Sequence, residues 1–586
     1  MKNSGKNVRV IETDLCVIGG GPSGIAAAVS AAREGVKVAL IQDRTVLGGN
    51  CSSEVRMWVR GAAVQFPDLK EGGIAEELAL DNIRLNPKMN WSLWDRVLLN
   101  KVRAEENITL IMSATVMGAD ENNGVIRSVT AWKTDEYAFY EVKAKYYADC
   151  SGDCVLAGFT SANCMKGRES RARTGESFAP DTPDDTTMGN SVLLQYRVSV
   201  PNEKADETAI AKGTERFDEV LGKRCPEGKI NVPNENFWWL ELGGNRDSLS
   251  DAGGISSDLI DLATAAYAHT AASANAQGYS LDWIGSLGAK RETRRYAGDY
   301  VLTATDILSA KAFPDEIAYG GWTIDDHYSG GIDAKEPNIH YRFDRPYPIP
   351  YRCVYSNNVI NLFFAGRNVS VTHLALSSTR VMATCMAIGQ AVGFAAAVAL
   401  RHDATPRGAG KYVSEIQQLL RKHDCYLLNT PREKVIDFPD DERERFCEYP
   451  YRDGAKSENP VTVLRIGETI TYDFAETYCR KIRIVLDSDL MRRCYDDEDN
   501  AWVIQGYPTL CHNACGTQTV FIPPSLVSDF TVTVNGKSGS RIINVSGNAQ
   551  RLVFLDVNET INSVSFCGLK THGADEIRLY SIDVIK

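Results

Sequence analysis

Between Asp14 and Gln42 the chain reads DLCVIGGGPSGIAAAVSAAREGVKVALIQ, and few folds accommodate that order of textures. Leu15 to Ile18 is a short apolar run that reads as a buried strand, and Gly19-x-Gly21-x-x-Gly24 follows it directly. The Ala-rich stretch from Ile25 to Glu34 reads as a helix, and Val36 to Ile41 as a second strand. In a strand–turn–helix–strand unit the three glycines serve a tight turn, close backbone approach to a pyrophosphate, and close helix–strand packing. The helix start offers free N–H groups and the positive end of its dipole to the same pyrophosphate, and Pro22 costs no internal bond there. The stretch therefore predicts dinucleotide binding, with Gly19, Gly21, Pro22, Ser23 and Gly24 at the phosphates. The second strand ends in Gln42, where an acid more often accepts from a ribose hydroxyl, and Asp43 follows. Gln42 can still bond a hydroxyl, without charge assistance. Arg44 is the lone cation nearby, so FAD or NAD is expected rather than NADP, and the strand end does not choose between them.

A length of 586 residues exceeds what one core supports, and predicts several domains. The net charge of −12 argues against a nucleic-acid partner, which would need a basic face. Val381 to Leu400 is twenty residues without a charge, long enough to span a bilayer, yet it is rich in Ala and Gly, carries Gln390 and lies between Arg380 and Arg401. It reads as a helix buried in protein, so no membrane partner is expected. Residues 1–10 lack the apolar core of a signal peptide, which makes a cytoplasmic location the expectation. The fifteen cysteines include no C-x-x-C; the tightest clusters, Cys150/Cys154 and Cys511-His512/Cys515, read as free thiols, and no metal is expected.

After the second strand, Thr45 to Arg56 form a Gly- and Ser-rich loop able to wrap an anionic or heteroaromatic group. Residues 91–107 read as an amphipathic helix, and 108–148 as a small β-meander turning at Glu121-Asn-Asn-Gly124. Tyr146 to Cys154 (YYADCSGDC) then reads as a strand ending in Asp149 and a Ser-Gly turn carrying Asp153. Here the chain resembles the FAD-dependent oxidoreductases of the two-dinucleotide-binding-domain flavoprotein group, in which a meander separates the first unit from a D-x-[ST]-G-D turn. A later block is similar as well: NLFFAGRN ending at Asn368, Val371 to Arg380, and Gly389 to Ala397. In that group a strand ends in A-G-R, and a small-residue helix points its N-terminus at the flavin, where its dipole stabilises charge on the reduced ring. Residues 285–330 resemble the branch with an R-E-[ST]-R-R-x-x-G-D-Y stretch. The resemblance implies FAD as cofactor, and implies contacts from Gly49, Asn50, Cys51, Ser52, Ser151, Gly152, Asp153, Gly366, Arg367, Ser377 and Ser378. Nothing in its spacing requires Cys51 to tether the flavin covalently.

The implied fold class is α/β: a Rossmann-like FAD-binding domain with an inserted α+β substrate domain, and a C-terminal all-β sandwich. The boundaries expected are 1–165 and 346–405 for the two parts of the FAD domain and 166–345 for the inserted cap. A helical linker region, with a helix over 409–423, spans 406–458, and the β-sandwich spans 459–586. The sandwich is similar in pattern to galactose-binding-like modules, and carbohydrate binding and oligomerisation are both open roles for it.

A flavin carries the hydride chemistry, so the protein must orient a substrate C–H and manage a proton. His327, in Asp325-Asp-His-Tyr328, is a candidate base with a nearby carboxylate to orient it; His373 is a candidate for the same role or for a bond to a flavin edge, and both read equally as structural histidines. Arg291, Arg294 and Arg295 with Glu292 suit a carboxylate or the pyrophosphate, and read equally as an internal ion-pair network. Arg367 and Arg380 flank the flavin helix, and Arg380 joins Arg291 as a candidate catalytic cation. The reading is an FAD-dependent oxidoreductase taking a hydride from a small polar substrate, such as a sugar derivative or hydroxy acid, with an unidentified electron acceptor and an open homo-oligomeric state. Two alternatives stand beside it: a carbohydrate-binding protein on a flavin fold without turnover, and a pyridine-nucleotide-dependent disulfide reductase, for which no second glycine motif is visible.

Overall fold

A computed structural model describes residues 7–62, 65, 70–199, 214–228, 237–273, 277–334, 338–436, 462–488 and 521–586. The Cys511/Cys515 cluster, the charged loop 439–445, residues 1–6 and the first half of the strand expected at 517–524 lie outside the described residues.

The first sheet contains β1 (Val8–Ile18), β2 (Val38–Ile41), β3 (Ile108–Ile111), β4 (Ala114–Asn122), β5 (Val125–Lys133) and β6 (Ala138–Asp149), in the order β3-β2-β1-β6-β5-β4. β3, β2, β1 and β6 run parallel, and the strand Leu362–Phe364 adds parallel to β6 from far along the chain. β1 and β2 are joined by α1 (Pro22–Arg33), as the glycine motif predicts. The expected meander is divided: β3 belongs to the parallel core, while β4, β5 and β6 pair antiparallel. Asn123 and Gly124 both have positive φ, 53° and 75°, the backbone a tight two-residue hairpin needs.

Parallel strands are covered on both faces, which explains why β2 is buried throughout. The helix Met382–Arg401 packs on α1. A Cβ on Gly389 would lie 2.1 Å from the Ser23 carbonyl oxygen, and one on Gly393 would lie 2.0 Å from Ser30 Oγ. The small residues are therefore what let two helix backbones touch. Of the helix's most apolar window 89% is buried, so its membrane-like hydropathy is spent on the interior.

Within the inserted stretch, an antiparallel sheet of Tyr279–Ile284, Asn190–Val198 and Phe237–Leu242 is covered by the helix Ala252–Ala271. Leu194, Leu240, Leu259 and Leu262 lie in a core of their own beneath it. The C-terminal region is an antiparallel all-β unit whose described strands form one six-stranded sheet. One of its strands, Leu552–Thr571, runs unbroken for twenty residues, kinked where Asn558 takes φ +54° and the pairing register slips. The linker helix is observed as Pro406–Ala409 and Val413–Lys422.

Candidate active site

The register of the parallel strands sets the site. Ile18 lies opposite Ile41 on one side and Asp149 on the other, and Asp149 lies opposite Phe364. Four strands thus end at one level, and the segments that follow them open onto one cleft of about 420 Å³. Such crevices at the carboxyl ends of parallel strands are where this topology receives a ligand.

The glycine turn divides its work as its spacing predicts. Gly19 has φ +98°, which L side chains rarely adopt. A Cβ on Gly24 would sit 1.8 Å from the Gly19 carbonyl oxygen, so helix and turn pack directly. Gly21, the N-cap of α1, has nothing within 4 Å of its Cβ position and lines the cleft beside Pro22 and Ser23. That open step beside the uncapped N–H groups of a helix is the cradle a pyrophosphate requires.

At the end of β2, Gln42, Asp43 and Arg44 line the cleft. Gln42 is already engaged: its carbonyl oxygen accepts from Gly20 N–H at 2.7 Å and its amide donates to Val46 O at 3.0 Å. It ties the glycine turn to the strand, and Asp43 is the carboxylate of this strand end that lines the cleft. Gly49 and Asn50 also line the cleft. Cys51 and Ser52 do not; both are buried and turn inward to the Gly48 and Gly49 carbonyls. Their expected flavin contact is corrected by that local turn geometry, and the Cys51 thiol faces away from a tether.

After β6, the fully buried Asp149 accepts from Ser151 N–H, Leu156 N–H and Tyr296 Oη, and so shapes the turn that presents Ser151, Gly152 and Asp153 to the cleft. Burial would raise the Asp153 pKa, but Arg367 at 2.5 Å and Lys290 at 2.8 Å hold it below the usual carboxylate range. Gly366 and Arg367 line the cleft from the late strand. Ser377 and Ser378 are buried elsewhere: Ser377 Oγ donates to His373 O at 3.3 Å, and Ser378 Oγ meets Tyr347 Oη at 2.6 Å and Trp322 O. Those two expected contacts are corrected; the first turn of the next helix, Met382 and Cys385, takes their place on the wall.

The inserted stretch contributes Asn190, Ser256, Gly288 and Lys290 to the lining of the cleft, which also includes Arg380. Here Arg380 Nε and Asn190 Oδ1 are buried without a hydrogen-bond partner, and Arg367 Nη1 is likewise unpaired. Unmatched donors and acceptors in one cleft are a strong mark of a ligand site.

Behind Arg380 runs a chain of alternating charge. Its Nη2 donates to Asp325 Oδ2 at 3.1 Å; Asp325 meets His327 Nε2 at 2.9 Å; His327 Nδ1 meets Glu241 Oε2 at 2.7 Å; Glu241 Oε1 meets Arg291 Nη1 at 2.7 Å. Burial pushes the Asp325 carboxyl up, yet His327 and Arg380 bring it well below its ordinary value. Of the four expected catalytic residues, Arg380 lines the cleft; His327 and Arg291 are joined to it through Asp325 and Glu241 and stand behind the wall. With both ring nitrogens engaged, His327 is placed to orient rather than to take a proton from substrate.

His373 requires a larger correction. It is 3% exposed, with Nδ1 2.8 Å from Glu292 and Nε2 3.1 Å from Asp326. Burial alone would lower its pKa; Glu292 and Asp326 reverse this and take it up to about 10. A charged imidazole donating from both nitrogens offers no lone pair to a substrate. Arg295, fully buried between Glu292 and Glu169, extends the same network, so the internal ion-pair reading describes Arg291, Glu292 and Arg295, while Arg294 forms no ion pair among the described residues. The carboxylate expected to orient His327 is Asp325, within the same short stretch; Glu241 went unmarked in the sequence because nothing local distinguishes it.

The family described as "FAD dependent oxidoreductase" matches residues 14–420. No curated protein matches the sequence. Among solved structures, the anhydrotetracycline hydroxylase OxyS from Streptomyces rimosus is 11% identical, with 70% of this chain and 69% of that one covered and a TM-score of 0.34. The myxobacterial chondrochloren halogenase CndH is 13% identical, with 69% and 78% covered and a TM-score of 0.33. A geranylgeranyl bacteriochlorophyll reductase-like protein from Thermoplasma acidophilum is 12% identical, with 71% and 86% covered and a TM-score of 0.28.

Proposed function

Because the chain belongs to the FAD dependent oxidoreductase family, we propose that it oxidises a small, hydroxylated, anionic substrate, such as a hydroxy acid or a sugar acid, where the inserted stretch lines the cleft. In this reading Gly21 and the start of α1 hold the pyrophosphate, Asp43 a ribose hydroxyl, and the wall of Met382, Cys385 and Arg367 the ring. FAD, when bound, supplies the acceptor for a substrate hydride.

The observation that carries the substrate class is the pair of unmatched buried atoms, Arg380 Nε and Asn190 Oδ1, on that wall. A cationic donor and a neutral acceptor lining one cleft suit a ligand that carries both a carboxylate and a hydroxyl. Asp325, locked by His327, fixes the plane of the Arg380 guanidinium, and Arg291 anchors the far end of the chain through Glu241. Their shared role is orientation, which lowers a barrier by removing the entropy of alignment. Lys290 adds positive charge to the same cleft. Against a disulfide reductase, the two cysteines of the cleft, Cys150 and Cys385, are free thiols held protonated by burial, the latter pushed up to about 12.

The test is an anaerobic titration of the FAD-loaded enzyme with hydroxy acids, sugar acids and their uncharged parent alcohols. Bleaching of the visible flavin band by the acids, lost in Arg380→Gln with FAD still bound, is expected. Reduction by the uncharged alcohols in preference to the acids would refute the substrate class.

A further inference from the structure

Behind the Asp153 side of the cleft lies a second cavity, of about 290 Å³, lined by Lys166, Thr187, Asp247, Ser248, Thr293 and Arg294 among others. It backs onto the first through Thr293, whose hydroxyl reaches Asp153 Oδ1 at 3.1 Å and Gly152 O at 3.4 Å. Its polar groups are unevenly satisfied. Asp247 is fully used: Oδ2 takes Lys166 at 2.6 Å, and Oδ1 accepts the N–H groups of Leu249 and Ser250 at 2.8 and 2.9 Å. Arg294 forms no ion pair among the described residues, and its Nε is buried without a hydrogen-bond partner. Thr187 Oγ1 and Ser248 Oγ, each on a residue 3% exposed, are buried and unpartnered too.

Backbone pairing sharpens the point. Arg294 stands directly opposite Lys166 in the antiparallel ribbon of Cys164–Lys166 and Arg294–Tyr296. Like charges in that position repel unless something negative lies between or beside them. Asp247 neutralises one of the two cations, so the cavity keeps one positive charge in excess, with two free hydroxyls next to it. A guanidinium fork and two unpartnered hydroxyls lining one cavity match a tetrahedral or planar oxyanion.

We infer that this cavity is a second binding site, separate from the flavin cleft, for the carboxylate or phosphate monoester group of a small ligand, with Arg294 as its principal contact and Thr187 and Ser248 as the hydroxyls that complete it. The inference does not rest on the substrate assigned to the first cleft, since it concerns binding alone.

Two probes separate the chemistries: inorganic phosphate, followed by phosphorus NMR, and acetate, followed by calorimetry, each titrated at low salt into the FAD-loaded protein. Saturable binding of at least one anion is expected, weakened about tenfold or more in Arg294→Gln and less in Arg294→Lys, which keeps the charge and loses the fork. Thr187→Val and Ser248→Ala, which alter no charge, are expected to weaken it severalfold with the melting temperature unchanged, so the inference remains testable if Arg294→Gln fails to fold. Preference for phosphate or for acetate identifies the ligand group. No saturable binding of either anion, or binding indifferent to all of these substitutions, would overturn the site.

Discussion

Gly21 and Gly24 are three residues apart and do opposite things. Gly24 abuts the Gly19 carbonyl, where a Cβ would clash at 1.8 Å; Gly21 faces open space at φ −72°. Gly24→Ala is therefore expected to lower stability and FAD retention together. Gly21→Ala should leave the unliganded fold as stable as before, or slightly more so, while weakening FAD about tenfold or more. Urea unfolding of the FAD-free protein beside flavin retained after gel filtration distinguishes the two. His373 yields a prediction of a different kind. Its folded-state pKa of about 10 lies above its ordinary 6.5, so its contribution to stability is complete below about pH 6.5 and is lost as pH rises through 10. Unfolding free energy should fall over that interval by at most about 1.4 kcal/mol per pH unit for this one group. His373→Gln should remove that slope and lower stability by about 3–5 kcal/mol, since Glu292 and Asp326 would lose a cation in the interior. A pH series of denaturant midpoints for both proteins measures it.

At the scale of elements, the crossing of α1 with Met382–Arg401 matters most, because it holds the glycine turn and the Met382 wall of the cleft on one frame. Ser30 Oγ reaches Gln390 O at 3.1 Å across it, and Gln390 Oε1 in turn accepts from Ile74 N–H at 3.0 Å. Gly393→Ala would press a methyl group to 2.0 Å from Ser30 Oγ and 2.3 Å from Ala27 O. The expected cost is about 1–3 kcal/mol, visible as a lower melting temperature, with FAD retention reduced because the wall moves. An unchanged melting temperature would mean the two helices are looser than their backbone contact implies. Gly and Ala spacing made this helix legible in the sequence as buried, yet its partner could not be read, since Gly393 and Ser30 are far apart in the chain.

Across the whole molecule, the C-terminal sheet is fastened to the FAD-binding region by buried charge. Arg483, fully buried, donates to the Lys422 and Arg421 carbonyls at 2.7 and 3.1 Å, capping the helix Val413–Lys422, and to Ser581 Oγ at 2.7 Å. Arg551 meets Asp424 at 2.9 Å, and Lys70, Glu76 and Ser488 form a buried cluster. A sheet docked this way is expected to unfold with the rest. Arg483→Met should cost about 3 kcal/mol or more, by leaving buried carbonyls unmatched, and the loss should register equally in flavin release and in far-UV signal. Separate transitions for the two signals would show that the sheet is an independent unit.

The sequence by itself determined the βαβ unit, its glycine turn, the binding of a dinucleotide and the buried small-residue helix, because those follow from contacts within some thirty residues. Short-range sterics demand glycine at positions 19 and 24 whatever surrounds them. Tertiary structure alone decided which charges meet. His373 became a fixed cation, His327 a link between Glu241 and Asp325, and Arg294 a cation left over, through partners as distant as Glu241 is from His327. The energy of a buried ion depends on its distance from others and on the water it has lost, and neither quantity exists until the chain has folded.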